Sequence, residues 1–338
     1  MGLKAQKISI ALCTYNGARF LPEQLESFLV QSRLPDELVV CDDRSVDDTV
    51  PIVRAFADRA PFRVEININE RNLGSTRNFE KAISLCTGDL IFLADQDDVW
   101  LPQKAEVIER AFDDPAVVMC FSDATLVDED LEPLGMRLWE HAFPSKHRAM
   151  AKEGRIAEVL LWQNVVTGAT VAIRSMAREA FLPIPTEIPN LIHDAWIALV
   201  LSACGKIAMV DEPLIKYRQH HGQQLGILFE PLAHLSYADR LKSYDRQIDF
   251  LRQEKTRLRE LRRILKDLPP FSGTGLEEMA DNFAVMKEEV ITHYKARRDL
   301  PLQRTRRLGQ IFREIRSGRY HKHSRGLLSA AKDLFETW

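Results

Sequence analysis

An α/β fold, with a mostly parallel sheet, helices on both faces and a helical C-terminal region, is predicted by three observations. Short apolar, often β-branched runs alternate with helix-period segments through roughly the first 120 residues. Polar and acidic residues cluster directly after several of those runs. Near residue 237 the chain changes character and becomes helical, charged and basic.

Strands are expected at residues 8–13, 37–42, 63–68, 89–94 and 117–122, with helices between them at 19–31, 47–59, 75–86 and 101–112. Continuous apolar strands separated by helices describe a parallel sheet buried on both faces. Such sheets bind ligands beyond the carboxyl ends of their strands. The polar clusters fall there: Thr14-Tyr15-Asn16-Gly17 after the first strand, Asp42-Asp43 after the second, and Asp95-Gln96-Asp97-Asp98 after the fourth.

Beyond residue 122 the pattern loosens. Residues 123–153, with Trp139, His141 and Pro144, read as a long loop forming a flap over a site. A helix follows at 153–163, then a strand-like segment at 165–174 broken by Gly168, a helix at 193–204, and two strands at 207–210 and 214–217. From Tyr237 the residues Leu241, Tyr244, Ile248, Leu251, Leu258, Leu261 and Leu265 recur at helical steps, and Pro269-Pro270 with Gly273 and Gly275 breaks the run. The division expected is a ligand-binding catalytic domain at 1–236 and a basic helical region at 237–338.

The 338 residues are 45% hydrophobic and 28% charged, as in a soluble globular protein. No run approaches the roughly 18 apolar residues of a membrane span, and residues 1–7 lack a signal-peptide core. Cys13, Cys41, Cys86, Cys120 and Cys204 are far apart, lie mostly in apolar runs and form no CxxC pair, which suits buried, reduced thiols in the cytoplasm rather than a zinc site or disulfide framework. The net charge of -3 conceals an asymmetry. Residues 239–338 carry 23 basic and 15 acidic side chains, a net of +8.

Three carboxylates within four residues, at the end of a buried strand, repel one another unless a cation neutralises them. A divalent ion, Mg²⁺ or Mn²⁺, bridging to a diphosphate would do so. The other reading is an acidic turn that caps the helix at 101–112.

The run Ile8-Ser9-Ile10-Ala11-Leu12-Cys13-Thr14-Tyr15-Asn16-Gly17, with Asp42-Asp43-Arg44-Ser45, Asn72-Leu73-Gly74, Arg77-Asn78, Asp95-Gln96-Asp97-Asp98-Val99-Trp100, His193-Asp194-Ala195-Trp196 and Tyr217-Arg218-Gln219-His220, resembles the family 2 glycosyltransferases of GT-A fold. The Asp-Gln-Asp-Asp-x-Trp and Tyr-Arg-Gln-His elements are most similar to bacterial rhamnosyltransferase-like enzymes of surface polysaccharide synthesis. The resemblance covers roughly residues 7–230.

It implies a nucleotide-sugar site made by Thr14, Tyr15, Asn16, Asp42, Asp43, Asn72, Gly74, Arg77, Asp95 and Gln96. By the same resemblance Asp97 is the metal ligand, His220 of the His220-His221 pair completes the metal site, and Asp98 caps the next helix. Asp194 is the expected general base, at the start of a helix where its alternative role is an N-cap. Trp100 and Trp196 are the acceptor-side candidates, Trp100 serving equally well as core; Ala195 stands where many relatives have a first tryptophan. No Gln-x-x-Arg-Trp segment of the processive members occurs, so one or a few sugars are added.

In the tail, Leu308, Ile311, Phe312 and Ile315 form one apolar stripe among arginines, and Leu327, Leu328, Ala331, Leu334, Phe335 and Trp338 a second. Basic amphipathic helices suit an anionic membrane surface; the alternative is packing on the catalytic domain or on a second subunit. The expected activity is metal-dependent, inverting transfer from a nucleoside diphosphate donor, dTDP-rhamnose first and UDP-sugars next, to a glycan or lipid-linked acceptor. No nucleic-acid partner is expected. The location expected is cytoplasmic, with peripheral docking at the inner face of the membrane if the tail binds lipid. The rivals are a sugar nucleotidyltransferase, for which residues 14–19 supply a poor phosphate loop, and a non-catalytic glycan-binding scaffold.

Overall fold

The apolar run Ile8–Thr14 is buried at every position and forms strand β1. In the computed structural model, which describes residues 6–220, 223 and 237–335, it is followed by α1 (Leu21–Leu29), β2 (Glu37–Asp42), α2 (Thr49–Ala57), β3 (Arg63–Ile68), α3 (Ser75–Leu85) and β4 (Leu90–Ala94). These four strands are mutually parallel in the order β3-β2-β1-β4. They end together, which brings the residues after each to one rim of the sheet. Helix α3 packs on β1 and β2, burying Phe79, Ala82 and Ile83 on one face.

The sheet then changes character. After β5 (Val99–Trp100) and α4 (Lys104–Ala111) come β6 (Val117–Val127), β7 (Pro133–Arg137), the helices α5 (Leu138–His141), α6 (Ser145–Lys152) and α7 (Ile156–Trp162), β8 (Val171–Arg174), α8 (His193–Cys204) and β9 (Lys206–Arg218). Strand β8 pairs antiparallel with both β4 and β6, while β9 pairs parallel with β6 and antiparallel with β5. The sheet has nine strands among the described residues and is mixed: β3, β2, β1 and β4 are parallel throughout, and beyond them only the β6–β9 pairing is parallel.

Two local expectations are corrected. The flap expected over 123–153 is an ordered extension: β6 runs on to Val127, β7 returns on it, and Trp139 and Phe143 pack buried against Phe121. The strands expected at 207–210 and 214–217 are one strand, β9, whose pairing with β6 shifts register between Val210 and Pro213. Proline has no N–H for the ladder and is tolerated at such a bulge. Among the cysteines, all free, Cys204 is exposed rather than buried.

The helical part comprises α9 (Tyr237–Asp267), α10 (Leu276–Arg298), α11 (Arg304–Arg316), α12 (Arg319–His323) and α13 (Leu327–Phe335). The expected stripe on α9 buries Ile248, Leu258, Leu261 and Leu265, and α9 packs along α10. The chain divides into two units: described residues 6–186, 191–220 and 223 form one, and 187–190 with 237–335 the other. The position expected for the domain boundary, and also His221 and Trp338, lie outside the described residues. No described helix is long and apolar enough to cross a membrane.

Candidate active site

A cavity of about 530 Å³ lies in the sheet-bearing unit, at the rim where β1, β2 and β4 end. Thr14 and Tyr15 line it from the end of β1, Asp43 from β2, and Asn72 and Gly74 from the turn before α3. Asp95, Gln96 and Asp97 enter it from the end of β4, Asp194 from α8, and His220 from just after β9. Ten of the expected site residues thus share one cavity although up to 206 positions separate them.

Local hydrogen bonds hold this rim in shape. Both Asp43 oxygens are occupied, Oδ1 by the Leu73 N–H at 2.7 Å and Oδ2 by the Gly74 N–H at 2.9 Å, so β2 is tied to the turn before α3. Gln96 clamps Tyr15: its Oε1 accepts the Tyr15 N–H at 2.8 Å, and its Nε2 donates to the Tyr15 carbonyl at 3.1 Å. A Cβ on Gly17 would stand 2.1 Å from that Oε1, so any side chain there would expel Gln96.

The acidic cluster divides its labour. Asp97 accepts or shares a proton with His220, Oδ2 to Nε2 at 2.8 Å. Asp98 is fully buried and accepts the Arg218 backbone N–H at 3.0 Å. It is not the expected helix cap, because β5 intervenes and α4 starts only at Lys104. Burial, then the charges of Asp97 and Asp194, pushes the Asp95 carboxyl up to about 7. Buried Lys104 offsets only a little of this charge, because burial also holds its own pKa well below the usual lysine value; its Nζ donates to the Ala169 carbonyl at 2.6 Å and lies 3.7 Å over the Trp100 ring.

Asp194 sits in the first turn of α8, which begins at His193, rather than ahead of the helix as an N-cap. Its Oδ1 accepts from Asn164 Nδ2 at 3.0 Å and from the Ala195 N–H at 2.5 Å, and its Oδ2 from the Gly168 N–H at 2.9 Å. Those donors favour the carboxylate, yet burial outweighs them and raises its pKa to about 6. His193 stacks on Phe79 with ring centres 4.0 Å apart, and burial lowers it to about 3, so it is neutral. A Cβ on Gly168 would stand 2.7 Å from His193 Nε2, so glycine lets the imidazole and the backbone donor to Asp194 coexist.

Five expected site residues lie elsewhere. Asp42 is buried, accepts from Thr14 Oγ1 at 2.8 Å and from the Ser45 N–H at 2.8 Å, and ties two loops together without lining the cavity. Asn16 is spent on the same loop: its N–H donates to Ser45 Oγ and its Oδ1 accepts the Val46 N–H. Arg77 pairs with Glu80 at 2.8 Å and lines a neighbouring hollow of about 550 Å³ instead of the cavity. Trp100 is core, its ring edge-on to Phe28 at 4.9 Å. Trp196 is also buried, its indole N–H bound to the Phe181 carbonyl at 2.8 Å. Neither tryptophan reaches the cavity, because the apolar face of its own element directs it inward.

Sequence reading missed three contributors. Arg218, quoted only as a motif member, is buried with its guanidinium 4.5 Å over Phe20; Nε donates to the Asp97 carbonyl at 2.8 Å, and its terminal nitrogens bond Glu23 and the Glu129 carbonyl. It staples the acidic loop to α1 and to the turn between β6 and β7. Asn164 and Gly168 carried no signal beyond a break in a strand-like run, because their role depends on a helix that begins 25 or more residues later.

The comparisons with known proteins bear on this geometry. A sequence profile described as glycosyl transferase family 2 matches residues 9–181, about half the chain. The chain belongs to glycosyl transferase family 2. The family match covers the β1, β2 and acidic-loop walls of the cavity, and Asp194 and His220 lie beyond it. An O-antigen chain rhamnosyltransferase of Salmonella typhimurium is 25% identical over 217 residues, 64% of this chain and 67% of that protein. Mycobacterial relatives, uncharacterised, are 27% identical over 247 residues; the chain spans 64% of their length.

Among solved structures, S. aureus TarS 1–349 in complex with UDP-GlcNAc superposes with a TM-score of 0.54 at 16% identity, covering 86% of this chain and 90% of that one. The mannosyltransferase from Pyrobaculum calidifontis in complex with GDP-Man and Mn²⁺ gives 0.53 at 16% identity, covering 98% and 88%. At this identity the likeness speaks to fold, and the fold of this family 2 chain is GT-A.

Among the described residues no three His, Cys, Asp or Glu side chains enclose a place for an ion. Asp97 and His220 supply two donors in contact with each other. Mg²⁺ commonly takes only one or two carboxylates and completes its shell with substrate phosphates and water, and Mn²⁺ also accepts imidazole. The donor set therefore fits such an ion.

Proposed function

We propose that this chain transfers a sugar from a nucleoside diphosphate donor to a hydroxyl of a glycan or lipid-linked acceptor, with inversion, in bacterial surface polysaccharide synthesis. The observation that carries the reading is that one cavity presents a buried carboxylate poised near neutrality, Asp194, and the Asp97–His220 pair together. The first is a general base and the second a diphosphate–metal seat.

The nucleoside would lie against Thr14 and Tyr15, with Asp43 and Asp95 within the same wall to accept from its hydroxyls. Asp194 takes the proton of the acceptor hydroxyl as that oxygen bonds to the anomeric carbon. The bond from that carbon to the diphosphate breaks, and the nucleoside diphosphate leaves with the electron pair. Asn164 and Gly168 hold the Asp194 carboxylate in one orientation through this step. Mg²⁺ or Mn²⁺ held by Asp97 and His220 would supply positive charge to the departing diphosphate.

The similarity to the Salmonella rhamnosyltransferase supports rhamnose as the sugar to try first, offered as dTDP-rhamnose. Thermal unfolding with dTDP, UDP, GDP and CDP, each with and without Mn²⁺, tests the site. A ligand at about 100 times its Kd raises stability by about 2.7 kcal/mol. Stabilisation by dTDP that requires Mn²⁺ supports the reading; a shift with none of the nucleotides would refute it.

A further inference from the structure

In the helical unit, the stretch 304–335 holds only two acidic residues, Glu314 and Asp333, and both are buried. Glu314 is neutralised by Arg319, Nε to Oε2 at 2.9 Å, and lies 3.0 Å from His293 Nδ1. Asp333 accepts from Arg297 at 2.6 and 3.0 Å and from the Tyr320 hydroxyl at 2.8 Å. With its carboxylates drawn inside, the charge this stretch shows to solvent is entirely positive. Arg304, Arg306, Arg313, Arg316, Arg325 and Lys332 are exposed, and exposed Lys322 lies 3.7 Å from Glu289 of α10.

Large apolar side chains stand among these cations. Leu308 and Phe312 on α11, and Leu327, Leu328 and Phe335 on α13, are between 55% and 75% exposed. They are not needed inside: Leu300, Ile311, Tyr320 and Ala330 form the local core, with Ile315 and Leu334 packed against it. The two stripes legible in the sequence are therefore each split, one edge filling the core and the other facing water. On α13, Ala330, Asp333 and Leu334 turn inward while Leu327, Leu328 and Phe335 turn outward.

We propose that this face of the helical unit docks on an anionic lipid bilayer. Arginine and lysine bind acidic headgroups, and leucine and phenylalanine enter the boundary between headgroups and acyl chains. A nucleic acid would match the arginines but leave the exposed leucines without a partner. The proposal is independent of the chemistry assigned to Asp194, and each can fail without the other.

The test is co-sedimentation of the full chain with phosphatidylglycerol–phosphatidylcholine vesicles and with pure phosphatidylcholine vesicles, at low and high salt. Binding at least about tenfold tighter to the anionic vesicles, and weakened by salt, is expected. Leu327→Ser with Leu328→Ser, both exposed and outside the core, should weaken binding by at least about tenfold with unchanged circular dichroism. Arg313→Glu with Arg316→Glu should do the same. Equal affinity for both vesicle types, or full binding by the leucine variant, would overturn the proposal. So would competition by a duplex oligonucleotide that the leucine variant still binds, or loss of self-association in that variant without any vesicle binding.

Discussion

The sheet-bearing unit and the helical unit both bury ionisable side chains, but they satisfy them differently. In the helical unit each buried acid among the described residues has a matched cation: Glu254 with Arg257 at 2.9 Å, Glu314 with Arg319, and Asp333 with Arg297. In the sheet-bearing unit the acids at the cavity outnumber their cations. Asp95 and Asp194 are raised to about 7 and about 6, and Asp98 is raised as well, with Oδ2 lacking a hydrogen bond among the described residues. Balanced buried pairs leave no net charge in the interior, and those of Asp333 with Arg297 and Glu314 with Arg319 also join one helix to another; unbalanced acids mark a place where charge arrives with a ligand. The contrast separates architecture from chemistry within one chain.

The largest expected effect sharpens the chemical side. Asp194→Asn should lower kcat by about 10²–10⁴-fold, the usual reach of general-base catalysis, with nucleotide binding retained. Transfer at an undiminished rate would move the base elsewhere. The structural side is probed by Asp333→Ala, which removes the buried carboxylate shared by Arg297 and the Tyr320 hydroxyl. It should destabilise the protein by about 3–5 kcal/mol in urea unfolding. A loss under about 1 kcal/mol would show the pair to be no more than a surface contact.

Asp97→Ala should remove the Mn²⁺-dependent part of nucleotide stabilisation, about 2.7 kcal/mol at 100 times Kd. If Mn²⁺ still sharpens nucleotide binding in this variant, Asp97 is not a ligand. The smallest effects lie in the pH profile. Asp194 works as its carboxylate, and its folded pKa is raised, so kcat should hold above about 6 and fall as pH drops through that value. Asn164→Ala removes a donor that stabilises the charged form, so the acid limb should move upward by about one pH unit or less. An unmoved limb would make Asn164 a packing residue only.

Much of the site was legible along the chain because it is built from strand ends. β1, β2 and β4 are mostly apolar and buried at every position, and the polar residues that follow each one must lie at the rim whatever the rest of the fold does. Arg77 and Trp196 misled for one reason, while Trp100 took the core role that the sequence had equally allowed. Arg77 and Trp196 lie one and two residues from the cavity residues Asn78 and Asp194, and spacing along an element does not say which of its faces meets the cavity. Asn164, Gly168 and Arg218 were silent because their partners, Asp194, His193 and Asp97, are distant in sequence. The long loop expected over 123–153 shows the same limit, since β7 exists only by pairing with an extended β6.

By itself the sequence determined the alternation of buried strands and helices, the acidic rim and the basic tail, because periodicity and composition act locally. Only the tertiary structure decided which carboxylates remain unbalanced at the cavity and which are paired out of sight. That outcome depends on desolvation and on cations brought from distant elements, which no local pattern encodes.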